Sequence, residues 1–263
     1  MMSTQDLWTA SLLIPALVLG IIGAVASRRG RTSLGLSLRH GAVAEFLAGC
    51  GFSLPFVLVL LGLMDLTGLV DGPEWVGGWA SAAGIAVYFL ALFLLEEIAF
   101  RALLMTGLGV LIGPSSAWVI TAVAVAGAYA FAPHTGVLPV AGAIITNLLT
   151  GLARWRTGRI WWGFGQRWLW NTAIVALGFT DSGFALQDGL MHQRLAGPSW
   201  LTGGAFGVEG GVVGIVFLLV MLVGVACFAR GRTGPWRITA ASTPSAQSAP
   251  SAPTAAGPRS ARS

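Results

Sequence analysis

Seven stretches of this chain, at residues 7–26, 46–69, 79–109, 116–132, 137–153, 160–179 and 211–229, approach or reach the roughly 20 apolar residues that a helix needs to cross a bilayer. Few folds accept such a pattern. Backbone polar groups inside hydrocarbon have no water to bond, so a spanning segment is either a helix or part of a closed barrel, and apolar runs of this length are helical. The sequence predicts an all-α fold, a polytopic transmembrane helical bundle of about seven spans, with six to eight compatible with the pattern. The third run is long enough for a tilted span and an interfacial turn. The fourth and fifth, joined by Pro133-His134-Thr135-Gly136, fit either two spans or one re-entrant unit. Only 10% of residues are charged and mean hydropathy is +0.78, which excludes an ordinary soluble domain.

Charge then orients the bundle. All 15 basic residues are Arg, a bias we read as a mark of GC-rich bacterial coding. Arg28, Arg29, Arg31 and Arg39 separate the first two runs. Arg154, Arg156 and Arg159 separate the fifth and sixth, and Arg230, Arg232, Arg237, Arg259 and Arg262 follow the seventh. With seven spans these twelve share one face, and the loops of the other face hold only Arg194. By the positive-inside rule the expected location is the cell membrane, multi-pass, with the N-terminus outside and the C-terminus in the cytoplasm. The partner this implies is the lipid bilayer. The pI near 10.5 calls for no nucleic acid, since basic residues at the inner face anchor the chain and attract anionic lipid.

The first run reads as a span rather than a signal peptide, because its basic residues follow it instead of preceding it. The expected organisation is a transmembrane domain over 1–238 and a disordered cytoplasmic tail over 239–263, the latter rich in Ala, Ser, Pro and Thr. Cys50 and Cys227 lie inside apolar runs, which argues against a disulfide framework or a Cys-based metal site. No internal repeat is visible.

A charge placed at the centre of a spanning helix costs about 2.5–3.5 kcal/mol on insertion scales, so the few charges within the runs mark where chemistry would reside. Glu97 and Arg101 are four residues apart and about 40° apart around a helix, which suits a structural ion pair. Glu96 points roughly 100° away from Glu97 and is left to face a cavity. Arg167 and Asn171 repeat the four-residue spacing on the sixth run, roughly 12 and 18 Å from its start near Arg159. Glu96 lies roughly 14–20 Å from the inner end of its own run, so the two pairs meet at one depth. Asn147 is placed to bond between helices. Asp65, Asp71, Glu74, Asp181, Asp188 and Glu209 lie in or beside the outer loops and are expected to be solvated. His134 ends an apolar run, and His40 and His192 fall in loops. Trp161, Trp162, Trp168 and Trp170 are expected to serve as interface and packing residues.

Glu96-Glu97-Ile98-Ala99-Phe100-Arg101 resembles the EExxxR motif of the CPBP family of CAAX-protease-like and bacteriocin-processing intramembrane proteases. Arg156-Thr157-Gly158-Arg159-Ile160-Trp161 followed by Asn171 resembles the family's third block, R-T-G-S-hydrophobic-W then HxxxN, and the middle motif FxxxH would place its histidine at His134. The likeness runs from about residue 90 to 172, with two departures. Ala130 stands where the family has Phe, and Arg167 stands where it has its second histidine.

The resemblance implies an intramembrane endopeptidase acting on a peptide or membrane-protein substrate. Its catalytic set would be Glu96, His134, Arg167 and Asn171, with Glu97 and Arg101 as the structural pair. Family members are commonly described as metalloproteases, which makes Zn²⁺ the alternative to a cofactor-free site. Arg has no lone pair to offer a metal, and Glu96, His134 and Asn171 are a poor zinc set, so the expectation is no metal and no cofactor. In the metal-free scheme Glu96 and His134 activate a water, and Arg167 and Asn171 stabilise the oxyanion. The alternatives are a catalytically inactive relative acting in peptide binding or bacteriocin self-immunity, and a small transporter.

The arginine asymmetry gives a direct test of orientation. In a background lacking Cys50 and Cys227, cysteines introduced at Ser33 and Ser248 should be shielded from an impermeant thiol reagent in intact cells, while one at Ser199 should label. The opposite pattern would reverse the orientation.

Overall fold

In a computed structural model, residues 21, 34–38, 41–183 and 189–228 are described. Apart from Ile21, the expected span at 7–26 lies outside the described residues, as do Arg28, Arg29, Arg31, Arg39, His40, Asp188, the five C-terminal arginines and the tail at 239–263.

Each remaining apolar run becomes a helix. In chain order they are α1 (Ala42–Leu66), α2 (Trp79–Ile112), α3 (Pro114–Ala128, continued by a 3₁₀ turn at Tyr129–Phe131), α4 (Val137–Thr157), α5 (Trp161–Ala176) and α6 (Val212–Phe228). Four of these segments, Ala42–Leu66, Trp79–Ile112, Pro114–Phe131 and Val137–Thr157, are long and apolar enough to cross a membrane. The stretch left open between two spans and a re-entrant unit thus forms two separate helices that pack together. Local chemistry sets the ends. Gly113 at φ 85° stops α2 and Pro114 starts α3, where its missing N–H costs nothing. Gly158 at φ 73° closes α4 in the left-handed conformation a glycine adopts freely.

Arg154 departs from expectation. It is part of α4 and buried, with Nη2 donating to Thr106 Oγ1 at 3.3 Å, rather than a loop cation. Arg159 does sit in the turn between α4 and α5. It pairs with Glu45 at 3.1 Å and donates to the Ser37 carbonyl at 2.7 Å, pinning the segment before α1 against that turn.

The bundle is all-α where it meets lipid, but it also has a small ribbon. β1 (Val70–Trp75) pairs antiparallel with β2 (Met191–Leu195), from Val70 opposite Leu195 to Trp75 opposite Met191, with an irregularity between Asp71 and Glu74. Gly72-Pro73 makes the first of these segments read as a turn in the sequence. The ribbon ties the α1–α2 connection to the segment after α5.

Among these helices α5 packs most extensively against α1. Small residues make the approach: a Cβ added at Gly165 would lie 2.0 Å from the Phe46 carbonyl oxygen, and one at Gly49 would lie 2.1 Å from that of Trp162. Ser53 Oγ donates to the Gln166 carbonyl at 2.8 Å in the same seam. Lipid offers helices no hydrophobic drive to associate, so close backbone approach and polar contacts carry the association. The seam holds α5, and with it Arg167 and Asn171, in fixed rotation. Gly165→Ala should therefore lower stability by about 1–3 kcal/mol, as overpacking does, read as a lower unfolding midpoint in detergent. An unchanged midpoint would show that the seam is loose.

Candidate active site

Two polar layers cross the bundle, and both begin at the middle of α2. There the helix widens: Glu97–Leu104 is a π-helix between α-helical Trp79–Glu96 and Met105–Ile112, and the Met105 N–H reaches back to the Phe100 carbonyl. Such segments are rare and concentrate at functional sites. Glu96 is the last residue of the α-helical part and Glu97 the first of the π part.

The first layer is fully enclosed. Arg101 Nε lies 3.5 Å from Glu97 Oε1, and Nη2 donates to Asn147 Oδ1 at 2.7 Å and to Thr150 Oγ1. Asn147 passes its own amide proton to the Ala143 carbonyl at 2.8 Å. Glu97 and Arg101 are buried to within 1%. This layer locks α2 to α4 and has no room for a substrate.

The second layer faces a cavity. Arg167 Nη1 lies 2.5 Å from Glu96 Oε2, its Nη2 donates to the Tyr129 hydroxyl at 3.4 Å, and its guanidinium carbon stacks 4.3 Å from the centre of the Phe93 ring. One turn on, Asn171 Nδ2 donates to the Arg167 carbonyl at 2.9 Å. Its Oδ1 is left without a partner among the described residues. Glu96, Tyr129, Arg167 and Asn171 line one cavity with Thr146 and Asn147 of α4. About 40 Å³ is open to the centres of water-sized spheres. A site holds a water at roughly 10–15 Å³ on that measure, so there is room for a few. The depth expectation and the structure coincide here, since α2 and α5 bring Glu96, Arg167 and Asn171 together.

His134 is elsewhere. It occupies the turn after the 3₁₀ segment at φ 55°, is exposed, and does not line the cavity. The polar group that the end of α3 delivers is Tyr129, buried against Arg167. Reading the motif by its histidine missed it, although Tyr129 stands four residues after Val125 and so fits the spacing of the middle motif with Val for Phe and Tyr for His.

Asp181 and Glu209 require a correction. Expected to be solvated in outer loops, both line the cavity. Glu209 Oε1 accepts a hydrogen bond from Trp170 Nε1 at 2.5 Å, so Trp170 orients a carboxylate besides packing. Backbone contacts turn these loops inward: the Gly183 N–H donates to the Phe206 carbonyl at 2.7 Å, and a Cβ at Gly142 would lie 2.3 Å from the Glu209 carbonyl oxygen. The glycines at 203, 204, 207, 210 and 211 were the available sequence signal for a tightly packed turn. Burial pushes both carboxyls up from their usual range. The Glu209 charge adds to the rise at Asp181, and the Arg167 charge opposes it at both.

No His or Cys is among the described residues that line the cavity. Among the described residues no group of three His, Cys, Asp or Glu side chains is arranged to hold a metal. The cation of Arg167 occupies the space next to Glu96.

With this geometry in place, comparison with known proteins is informative. One family, described as type II CAAX prenyl endopeptidase Rce1-like, has a model that matches residues 78–173. Over that stretch the chain is similar to this family of CPBP-type proteases. The matched stretch runs from the start of α2 into α5 and contains Glu96, Glu97, Arg101, Tyr129, His134, Arg167 and Asn171. It ends before Asp181 and Glu209, so the chain completes its cavity with residues beyond the match. No curated protein and no solved structure matches the chain.

The enclosed layer yields a stability prediction. Glu97→Gln leaves Arg101 as a buried cation without its carboxylate, and breaking such a pair typically costs about 3–5 kcal/mol. The variant should insert poorly or unfold well below the wild type. Normal yield and an unchanged unfolding midpoint would show that the pair contributes nothing.

Proposed function

We propose that this chain is an intramembrane endopeptidase that cleaves a membrane-associated peptide or protein with a water activated by Glu96, without a metal. The observation that carries the reading is the convergence of Glu96, Arg167, Tyr129 and Asn171 on one small cavity in a helical bundle that is similar over residues 78–173 to the Rce1-like family. Peptide hydrolysis needs a base beside a water and donors for the oxygen that becomes negative in the transition state. Glu96 supplies the base. Asn171 spends an amide proton on its own helix, so its free Oδ1 is placed to hold the water's other hydrogen. Arg167 and Tyr129 are the donors facing the same space, and they take the oxyanion role first assigned to Arg167 and Asn171.

Water attacks the peptide carbonyl as Glu96 takes its proton. The tetrahedral oxyanion is met by the Arg167 guanidinium and the Tyr129 hydroxyl, and its collapse expels the amine. His134 has no part in this scheme. In the orientation argued from the arginines, the N-terminus is outside, the C-terminus is in the cytoplasm of a bacterial cell, and the Asp181 and Glu209 side of the cavity faces outward.

A second reading is favoured by one observation. The Glu96–Arg167 pair closes over the carboxylate that should act as base, which suits a non-catalytic relative that binds peptides, as in bacteriocin self-protection. Sequencing of protein N-termini from membranes of cells making the wild type or Glu96→Gln separates the two. The peptidase produces new termini that Glu96→Gln abolishes, whereas identical sets of termini would leave only the binding role. Arg167→Leu should cost about 3–4 kcal/mol of transition-state stabilisation, as deletion of a single oxyanion donor does. His134→Ala and strong chelators should leave cleavage unchanged. Loss of cleavage with a chelator, reversed by zinc, would refute the metal-free scheme.

A further inference from the structure

Among the described residues, three carboxyls, Glu96, Asp181 and Glu209, line a cavity together with one cation, Arg167. That cation is committed to Glu96. If all three were ionised, two negative charges would stand uncompensated in a half-buried cavity, which like-charge repulsion and desolvation both oppose. We propose that Asp181 and Glu209 form a carboxyl dyad that keeps one proton between them at neutral pH and delivers it to the amine leaving the cleaved peptide bond. The delivery step rests on the peptidase reading, whereas the shared proton does not.

The dyad is built rather than incidental. Both residues come from segments locked together by backbone contact. Besides the bond from Gly183 to Phe206, a Cβ at Gly207, at φ 111°, would lie 2.2 Å from the Thr180 carbonyl oxygen, so only glycine allows this approach. Trp170 fixes Glu209 and a hydrogen bond from Ser182 fixes Asp181. A second observation places a proton-bearing partner in this space. Asn171 is only 4% exposed, yet its Oδ1 accepts no hydrogen bond from any described residue and opens on the same cavity. An acceptor left in that state calls for a donor, which a water held by the protonated dyad provides. Among the described residues, the charged and titratable groups that share the cavity with the dyad are Tyr88 and Glu96 of α2, Tyr129 after α3 and Arg167 of α5, while α4 brings the neutral Thr146 and Asn147. Burial raises the proton affinity of both carboxyls, and the Glu209 charge adds to the rise at Asp181.

Protons balance over the cycle. Glu96 takes one from the attacking water, the water oxygen bonds to the carbonyl carbon, and the C–N bond breaks. The departing nitrogen takes the dyad's proton, and the dyad regains one from Glu96 across the cavity. Two carboxyl environments held apart in proton affinity are what acid–base chemistry at one pH requires.

The test is infrared spectroscopy of the full-length protein in lipid nanodiscs at neutral pH, reading the C=O stretch of a protonated carboxyl. The wild type and Glu96→Gln should both show this band. The Asp181→Asn/Glu209→Gln double variant should lack it, with circular dichroism confirming that it is folded. A wild type without the band, or a double variant that keeps it, overturns the dyad. In an active preparation the double variant should lose about 10²–10⁴-fold in cleavage, and wild-type cleavage should fall as pH rises through the dyad's titration. Undiminished cleavage by the double variant overturns the delivery step. A wild type that shows the band but cleaves nothing refutes the peptidase reading and the delivery step together, while supporting the shared proton.

Discussion

The ion pair between Glu96 and Arg167 is the contact on which the rest of this structure depends. Two opposite charges within a bundle of apolar helices are tolerable only as partners, because a charge left alone at that depth is expensive. Each partner lies on a helix whose rotation is set by something else. The enclosed Glu97–Arg101–Asn147 layer fixes α2 against α4, and the glycine seam fixes α5 against α1. The pair is therefore held from both sides. Its surroundings, Phe93 on one face of the guanidinium and Tyr129 at its end, stabilise a cation where the family has a histidine.

That replacement changes the kind of chemistry the cavity supports. A histidine at position 167 would offer a lone pair to a metal or exchange a proton near neutral pH, and an arginine does neither. Its lasting charge and planar array of donors suit the stabilisation of a developing oxyanion. Tyr129 extends the same logic, since a phenol donates a hydrogen bond without binding zinc as a histidine does. In the proposed scheme proton transfer then falls to carboxyls, and among the described residues three of them line the same cavity.

Much of this was legible in the sequence. Apolar run length located each of the six long helices α1 to α6 to within a few residues, because that signal depends only on bilayer thickness and helix rise. The helical rise also placed Glu96 at the depth of Arg167 and Asn171. What failed had a common cause. His134, Asp181 and Glu209 sit in connections, whose path is set by tertiary packing rather than by periodicity. One turned out exposed where an inward residue was expected, and two turned inward where solvated ones were expected. The π-helical segment and the β1–β2 ribbon were also missed. Nothing in Glu97–Leu104 distinguishes a π turn from an α turn, and Gly72-Pro73 hides a strand behind a turn signature.

The most direct measurement is a double-mutant cycle on unfolding free energy in bicelles, using Glu96→Gln, Arg167→Gln and the pair together. If the two side chains are bonded in the membrane interior, the single variants will each be strongly destabilised and the double variant much less than their sum. The expected coupling energy is above about 1 kcal/mol, within the range found for residues in contact. Strictly additive losses would mean that Glu96 and Arg167 do not meet, and the cavity described here would lose its centre.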